Sequence, residues 1–246
     1  MADYDVIIAG GGLAGTIAAQ SVSHYSNQGL KILVIDRNPS NLPGMKSIAG
    51  WVCGDAVSKE AVDFMSNRIK VNWSEPEIEH KVKGVMAFSP DRETSIPFDG
   101  AGYMLNRQVL PQRQNERTLA MGVDFDFEIN LTGLLYDGDQ VVGVQGIDYK
   151  TKTPYKKTAK VVIDATGMTS MLRNQISNTT KMERKVDRKD VESTGRHIMH
   201  FDQGEEDLTE FDENYCIIHL DQDIAPGGYG WVFPKGKNKV NIGLGV

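Results

Sequence analysis

YDVIIAGGGLAGTIAAQSVSHYSNQGLKILVID, residues 4–36, is the stretch that decides the fold. It begins with a short β-branched run, Tyr4–Ala9, that ends in glycines and predicts a buried strand followed by a tight turn. Small and apolar residues at helical spacing then predict a helix over Leu13–Tyr25. After Gly29, the apolar run Leu30–Ile35 predicts a second buried strand. Strand, helix and strand in this order predict a βαβ unit at the start of the chain.

The turn of this unit, Gly10–Gly15, satisfies the pattern G-x-G-x-x-G. Gly10 permits the tight turn, Gly12 lets the backbone approach a pyrophosphate, and Gly15 allows the helix to pack closely on the strand. Asp36, 21 residues after Gly15, is placed to accept hydrogen bonds from ribose hydroxyls. A purely structural glycine turn is the alternative, but the order of strand, helix, strand and acid favours a dinucleotide site. Its predicted binding residues are Gly10, Gly12, Ala14, Gly15, Asp36 and Arg37.

Further along the chain, a second apolar strand runs into a turn of small residues, Val161–Gly167. Small residues let the backbone pass close to a bound cofactor, although an ordinary strand-to-loop turn is the alternative. The segment resembles the flavoprotein pattern in which the chain returns to the first βαβ unit and covers the adenine end of the cofactor. That resemblance favours FAD over NAD, and it adds Ala165, Thr166 and Gly167 to the predicted cofactor site.

Four other segments resemble one particular family of flavoproteins. Residues 226–236 (PGGYGWVFPKG) and 241–245 (NIGLG) resemble the Y-x-W-x-F-P-K-G…N-x-G-x-G block of the geranylgeranyl reductase family. Cys53-Gly54-Asp55 and Tyr103–Arg107 (YMLNR) are similar to that family's Cys-Gly loop and Y-x-x-x-R segment. The resemblance implies an α/β (α+β) fold of the p-hydroxybenzoate hydroxylase type, in which a Rossmann-like FAD-binding domain carries an inserted antiparallel β-sheet domain that binds substrate.

The same resemblance implies a reaction, in which reduced FAD delivers hydride to isoprenoid double bonds of a membrane ether-lipid precursor. Ferredoxin or NAD(P)H is the implied electron donor. The resemblance also implies that Arg107 binds the phosphate or ribityl region of the flavin, where a guanidinium fork suits paired oxygens. Cys53 is implied to lie near the isoalloxazine and the reacting double bond, with Gly54 letting its loop approach closely. A surface charge for Arg107 and a small buried side chain for Cys53 are the alternatives.

The aromatic side chains of residues 226–236 alternate along one predicted strand. Tyr229, Trp231 and Phe233 therefore project to the same face, and their area is sufficient to line a groove for a long apolar chain. Packing in the core of the sheet is the alternative for this face. Cys53, Tyr229 and Trp231 form the predicted catalytic set.

Composition and charge exclude several classes of protein. A formal net charge of −6 disfavours nucleic acid as a partner, because neutralising phosphates needs a basic surface. The start of the chain lacks the basic-then-apolar order of a signal peptide, and no apolar run reaches the ~18 residues that span a bilayer. We therefore expect a cytoplasmic protein, in peripheral contact with the membrane. Its cysteines, Cys53 and Cys216, are too far apart in sequence to suggest a disulfide framework or a metal site.

The predicted organisation is a discontinuous FAD-binding domain, residues 1–74 and 101–175, and a substrate-binding sheet domain, residues 75–100 and 190–246. Nothing after Gly167 supplies the later Gly-Asp motif that binds the ribityl chain in flavoproteins of this fold. We therefore expect an incomplete sheet domain and a C-terminally truncated chain. Two rival functions share the predicted fold or its cofactor: an FAD-dependent monooxygenase or halogenase, and a non-catalytic FAD-binding fragment.

Overall fold

The computed structural model describes residues 2–41, 53–168, 170, 172–176, 182–183, 185–202 and 211–246. Over these residues the helices are α1 (Leu13–Tyr25), α2 (Lys59–Ile69) and α3 (Leu110–Ala120), and none of them is both long and apolar enough to cross a membrane. The strands are β1 (Tyr4–Ala9), β2 (Ile32–Ile35), β3 (Ala56–Ser58), β4 (Ile78–Phe88), β5 (Ser95–Leu105), β6 (Asp124–Asp126), β7 (Ile129–Asp137), β8 (Gln140–Asp148), β9 (Pro154–Asp164), β10 (Thr194–His200), β11 (Tyr215–His219), β12 (Tyr229–Pro234) and β13 (Lys239–Gly245). The chain divides into two compact units, the first comprising Met1–Gly50 and Pro111–Val186, the second Trp51–Leu110 and Asp187–Val246.

The first unit is built on a six-stranded sheet in the order β6-β2-β1-β9-β8-β7. β1 pairs in parallel with β2 on one side and with β9 on the other, which confirms the βαβ unit predicted from residues 4–36. Three β-rich stretches, residues 131–136, 140–149 and 155–163, predict a meander, and β7, β8 and β9 form it as antiparallel neighbours. Gly138, with a φ of +58°, lies in the tight turn between β7 and β8.

Both faces of the central strands are covered, which explains why β1 and β2 are apolar along almost their whole length. Alternate side chains of β1 enter opposite cores. Val6 and Ile8 pack with Ala19 of α1, whereas Ile7 and Ala9 pack on the side of the meander. Gly10 therefore follows a strand that is held on both faces, and this determines the position of the glycine loop.

The second unit is built on a seven-stranded sheet in the order β10-β13-β12-β11-β4-β5-β3. Its neighbouring strands are antiparallel, apart from the parallel pair β11 and β4. Helix α2 follows β3 and is capped by Ser58, whose hydroxyl accepts the amide N–H of Ala61 at 3.2 Å. The resulting fold of the chain is mixed α/β.

The boundaries of the two units differ from the boundaries of the two predicted domains. Residues 51–74 and 101–110, which we expected in the FAD-binding domain, belong to the second unit. They do so because β3 pairs with β5, where Ala56 lies opposite Met104. The polar amphipathic pattern of residues 106–121 predicts a helix. The helix begins later, at Leu110, because the chain remains extended to the end of β5 and forms a short turn before the helix.

Candidate functional site

The loop between β1 and α1 requires glycine at position 10. Gly10 has a φ of +105°, a conformation that residues with a side chain rarely adopt. A methyl group on Gly10 would also lie 2.3 Å from the carbonyl oxygen of Ala165. The Gly10 amide donates to the carbonyl of Ile35, and the Ala165 amide donates to the carbonyl of Ala9, both at 2.8 Å. The two segments predicted to bind the cofactor therefore meet at the end of β1.

Helix α1 starts directly on this loop. Gly12 precedes its first turn without offering a side-chain cap, and the first turn contains no acidic residue. A methyl group on Gly15 would lie 1.8 Å from the carbonyl oxygen of Gly10, so only glycine allows the helix to lie this close to the strand. The predicted Ala14 is exposed in the same turn. A helix start of this kind suits an anionic phosphate.

Asp36 holds the glycine loop from the end of β2. Its side chain is buried, and its Oδ2 accepts the amide N–H of Gly11 at 2.8 Å while its Oδ1 accepts that of Asn38, also at 2.8 Å. A carboxylate has about four acceptor positions, so it suits ribose hydroxyls in addition to these amides. Gly11 was not among the predicted residues, yet a methyl group there would lie 2.6 Å from Asp36 Oδ2. The predicted Arg37 is exposed next to Asp36.

Asp164 organises the second cofactor segment. Its Oδ1 accepts the amide of Thr166 at 3.0 Å and the hydroxyl of Thr166 at 2.7 Å, and its Oδ2 accepts the hydroxyl of Ser170. Gly167 has a φ of +85° and open space where a side chain would stand. β9 places this segment beside β1, where Asp164 lies opposite Ala9. The described residues of the first unit thus form a glycine-lined cradle that fits the adenosine and pyrophosphate parts of FAD.

In the second unit, the reductase-like segments come together around Cys53. The sulfur of Cys53 accepts the amide N–H of Asp55 and an N–H from Nη2 of Arg107, each at a donor–acceptor distance of 3.4 Å. A methyl group on Gly54 would lie 2.6 Å from Cε2 of Phe233. The Cys53 turn, Cys53–Asp55, therefore contacts both Arg107 of the Y-x-x-x-R segment and Phe233 of the aromatic block.

Asp55, Lys235 and Asn241 belong to this site, although the sequence analysis did not single them out. Asp55 is 2% exposed and has a φ of +68°, which is uncommon for a residue with a side chain. Its Oδ2 accepts hydrogen bonds from Lys235 Nζ at 2.9 Å and from Asn241 Nδ2 at 3.0 Å. Its Oδ1 lies 3.7 Å from Nε of Arg107, a charge contact too long for a hydrogen bond. All three residues lie inside the reductase-like segments 53–55, 226–236 and 241–245. Their location in these segments was the sequence signal that could have identified them.

Glu79 completes a group of mostly buried polar side chains, named here the Asp55 cluster: Asp55, Glu79, Arg107, Lys235 and Asn241. Glu79 accepts from Lys235 at 2.7 Å and from Lys239 at 2.5 Å. Burial acts to raise the pKa of Glu79, but the hydrogen bonds from the two lysines outweigh it, so the pKa lies below its ordinary value. Each buried charge of Lys235 and Glu79 is therefore compensated by a neighbour of opposite sign.

The lowered pKa of Glu79 predicts a pH dependence of stability. A carboxyl group with a lower pKa in the folded chain stabilises the fold above its ordinary value of 4.5 and loses that contribution as the pH falls through the folded pKa. We expect Glu79→Gln to lower the free energy of unfolding by about 1–3 kcal/mol at neutral pH, and by less in acid. Urea unfolding across the pH range measures this difference. Glu93→Gln, on the surface, is the control; a Glu79→Gln effect that stays constant with pH would contradict the assignment.

The aromatic residues of β12 occupy different environments. Trp231 is 5% exposed and Phe233 is 8% exposed, and both pack in the hydrophobic core of the second sheet. Tyr229, by contrast, is 38% exposed. The indole N–H of Trp231 donates to Oδ1 of Asn241 at 3.0 Å. Burial therefore supports core packing for Trp231 and Phe233, and it leaves Tyr229 as the aromatic residue with surface available to a ligand.

Family models match both units of the chain. A model described as FAD dependent oxidoreductase matches residues 5–211, and one described as Geranylgeranyl reductase catalytic domain matches residues 190–246. The digeranylgeranylglycerophospholipid reductase of Sulfolobus acidocaldarius is 36% identical over 247 residues, which cover 99% of this chain and 50% of the relative. The enzyme of the same name from Methanosarcina mazei is 28% identical, with 99% of this chain and 54% of the relative covered. The chain thus spans about half the length of these curated relatives.

Solved structures agree with these matches. A geranylgeranyl bacteriochlorophyll reductase-like protein from Thermoplasma acidophilum superposes with a TM-score of 0.79 at 26% identity, covering 98% of this chain and 56% of that protein. The myxobacterial chondrochloren halogenase has a TM-score of 0.71 at 14% identity, covering 99% of this chain and 52% of that protein, and this likeness shows the fold alone. The chain accordingly has the p-hydroxybenzoate hydroxylase-like fold and belongs to the FAD-dependent oxidoreductases, and its residues 190–246 match the geranylgeranyl reductase catalytic domain.

Proposed function

We propose that this chain acts as an FAD-dependent reductase that saturates double bonds of geranylgeranyl chains in membrane ether-lipid biosynthesis. One observation carries the proposal: Lys235 and Asn241, which lie in the region matched by the geranylgeranyl reductase catalytic domain, bind the buried Asp55 of the Cys53 turn. A shared flavoprotein fold does not require these hydrogen bonds, because the bonds depend on particular side chains of the reductase-like segments. The names of the curated relatives support the same substrate class.

The first unit supplies the residues that we assign to the cofactor. Gly10, Gly12 and Gly15, with the exposed Ala14, form the loop and helix start for the pyrophosphate, and Asp36 with Arg37 faces the ribose. Residues 165–167 border the same loop through the contact of Ala165 with Gly10. Bound FAD in its reduced form would supply a hydride to one carbon of the double bond, and a proton from solvent would complete the saturation at the other carbon.

The second unit supplies the residues that we assign to the reaction. Arg107 offers guanidinium donors that suit the anionic oxygens of the cofactor, in addition to its contact with Cys53. Cys53, next to Gly54, and the half-exposed Tyr229 are the groups that we assign to the substrate chain. Trp231, because it is buried, is assigned to the support of this surface through Asn241.

Two further partners follow from the proposed reaction. Ferredoxin or NAD(P)H is proposed as the electron donor, since each saturated double bond consumes two electrons. The substrate carries long isoprenoid chains, which reside in a bilayer because of their apolar surface. We therefore propose a cytoplasmic protein that works in peripheral contact with the membrane.

An anaerobic reduction assay tests the proposal. The chain is incubated with FAD, dithionite and digeranylgeranylglycerophospholipid, and mass spectrometry records the lipid. We expect a gain of two hydrogens for each double bond reduced, and no gain with Asp36→Ala, which removes the carboxylate assigned to the ribose. Oxygen uptake with NADPH and an aromatic substrate, without lipid reduction, would instead identify a monooxygenase. Retention of FAD without either reaction would identify a non-catalytic FAD-binding fragment.

A further inference from the structure

Asn241 binds both ends of the Cys53 turn with a single amide group. Its Nδ2 donates to the carbonyl oxygen of Cys53 at 2.8 Å and to Oδ2 of Asp55 at 3.0 Å. Its Oδ1 accepts the indole N–H of Trp231, and because that nitrogen only donates, the amide has one favourable orientation. Asn241 is fully buried. The Asn241 side chain therefore links the Cys53 turn to Trp231 in the core of the sheet and fixes the orientation of the turn.

Lys235 also binds the Cys53 turn. Its Nζ donates to Asp55 Oδ2 at 2.9 Å, to the carbonyl oxygen of Leu105 at 2.7 Å and to Glu79 Oε2 at 2.7 Å. An ammonium group has three donors, so these contacts use all of them. Leu105 lies two residues before Arg107, and its amide donates to the carbonyl of Asp55 at 2.8 Å. Lys235 therefore ties together the two segments whose side chains meet at the Cys53 sulfur.

We propose that Lys235 and Asn241 are positioning residues, which hold Asp55 in its left-handed backbone conformation and thereby place Arg107 against the sulfur of Cys53. The proposal rests on the proposed function, in which Cys53 is assigned to the substrate chain. Without the ammonium and amide donors, the buried Asp55 carboxylate would lose its hydrogen bonds and the turn would relax toward solvent. The assignment gives Lys235 and Asn241 a role in the geometry of the site beyond their contribution to the stability of the sheet.

The two cysteines allow a direct test, because they report different events in the same unit. Cys53 is half-buried in the turn, whereas Cys216 is 1% exposed in the core of the sheet. N-ethylmaleimide labelling of the native 246-residue chain, followed by mass spectrometry of each cysteine peptide, separates local opening of the turn from global unfolding. We expect Lys235→Met to raise the labelling rate of Cys53 about tenfold while Cys216 keeps its rate.

Lys239→Met is the matched control for this variant. Lys239 binds the same Glu79 but has no contact with the Cys53 turn among the described residues, so its loss should leave the Cys53 rate unchanged. An unchanged Cys53 rate in Lys235→Met would overturn the proposal. A parallel rise at Cys53 and Cys216 would also overturn it, since it would show that Lys235 serves only the stability of the sheet.

Two further variants keep the test decisive if Lys235→Met does not fold. Lys235→Gln retains a donor toward Asp55 and is expected to raise the Cys53 rate by about threefold. In an Asp55→Asn background the same substitution should add almost nothing, because Lys235 acts through the Asp55 carboxylate. Full additivity of the two substitutions would refute this route of action.

The anaerobic lipid assay separates the positioning role from the proposed function. In that assay Lys235→Met should lower kcat about tenfold and leave KM within about twofold. If the unsubstituted chain does not reduce lipid while Lys235→Met still exposes Cys53 selectively, the proposed function fails and the positioning role of Lys235 stands. If the unsubstituted chain reduces lipid and the Cys53 labelling rate is the same in both proteins, the positioning role fails alone.

Discussion

Gly15→Ala is expected to leave the chain colourless after incubation with FAD and gel filtration, whereas the unsubstituted chain retains the visible flavin band. The added methyl group would lie 1.8 Å from the carbonyl oxygen of Gly10, far inside van der Waals contact. Backbone atoms cannot yield locally as a flexible side chain can, so α1 must move away from β1. The pyrophosphate then loses the helix start, and we expect FAD affinity to fall by at least about 100-fold.

Gly100→Ala is the control for Gly15→Ala. It is the same substitution in β5 of the second unit, where no atom lies within 4 Å of the added methyl group. The control should retain FAD as well as the unsubstituted chain does, and circular dichroism should show that both variants are folded. A folded Gly15→Ala chain that retains a full flavin band would show that α1 does not contribute to the cofactor site.

Trp231→Ala is expected to lower the free energy of unfolding by about 3–5 kcal/mol. The substitution empties a large volume in the core of the second sheet and leaves Oδ1 of the buried Asn241 without the indole donor. The effect is expected in the absence of FAD and lipid, because it arises from packing and hydrogen bonding within the unit. Urea unfolding measures the change. It is followed by far-UV circular dichroism, because the substitution removes a tryptophan that would contribute to a fluorescence signal.

Tyr229→Ala, two residues before Trp231 in β12, is the variant for comparison. Tyr229 is 38% exposed, so its removal should change the free energy of unfolding by less than about 1 kcal/mol. If the two substitutions have equal effects on stability, the difference in burial between the two aromatic residues is not what determines their roles. If Tyr229→Ala preserves stability and raises KM for the lipid, the assignment of Tyr229 to the substrate chain is supported.

The first unit was predictable from sequence because its signals are local. β1 and α1 have the predicted bounds, Tyr4–Ala9 and Leu13–Tyr25. Their apolar periodicity and the conformational freedom of glycine are properties of short segments, and they do not depend on distant residues. The same reasoning found the meander of β7 to β9. It placed the start of α3 too early, at residue 106, because the polar residues 106–108 do not reveal that a turn separates the strand from the helix.

The Asp55 cluster was not predictable in the same way. Asp55 and Lys235 form their ion pair across 180 positions of sequence, and neither residue indicates the other by its type or spacing. The alternation of Tyr229, Trp231 and Phe233 predicted a common face correctly, yet it did not determine which part of that face is buried. Burial depends on the packing of neighbouring strands and on Met104 and Cys216, which lie in other segments.

By itself, the sequence determined that residues 4–36 form a βαβ unit with a dinucleotide-binding pattern and that the chain carries motifs resembling those of a flavin-dependent reductase. It could do so because periodicity, glycine conformation and motif spacing depend only on residues that are close together in the sequence. Only the tertiary structure decided that Lys235 and Asn241 bind Asp55 of the Cys53 turn and that Trp231 lies in the core. The physical reason is that buried charges and hydrogen bonds are satisfied by whichever partners the strand order brings within about 3 Å, however distant they are along the chain.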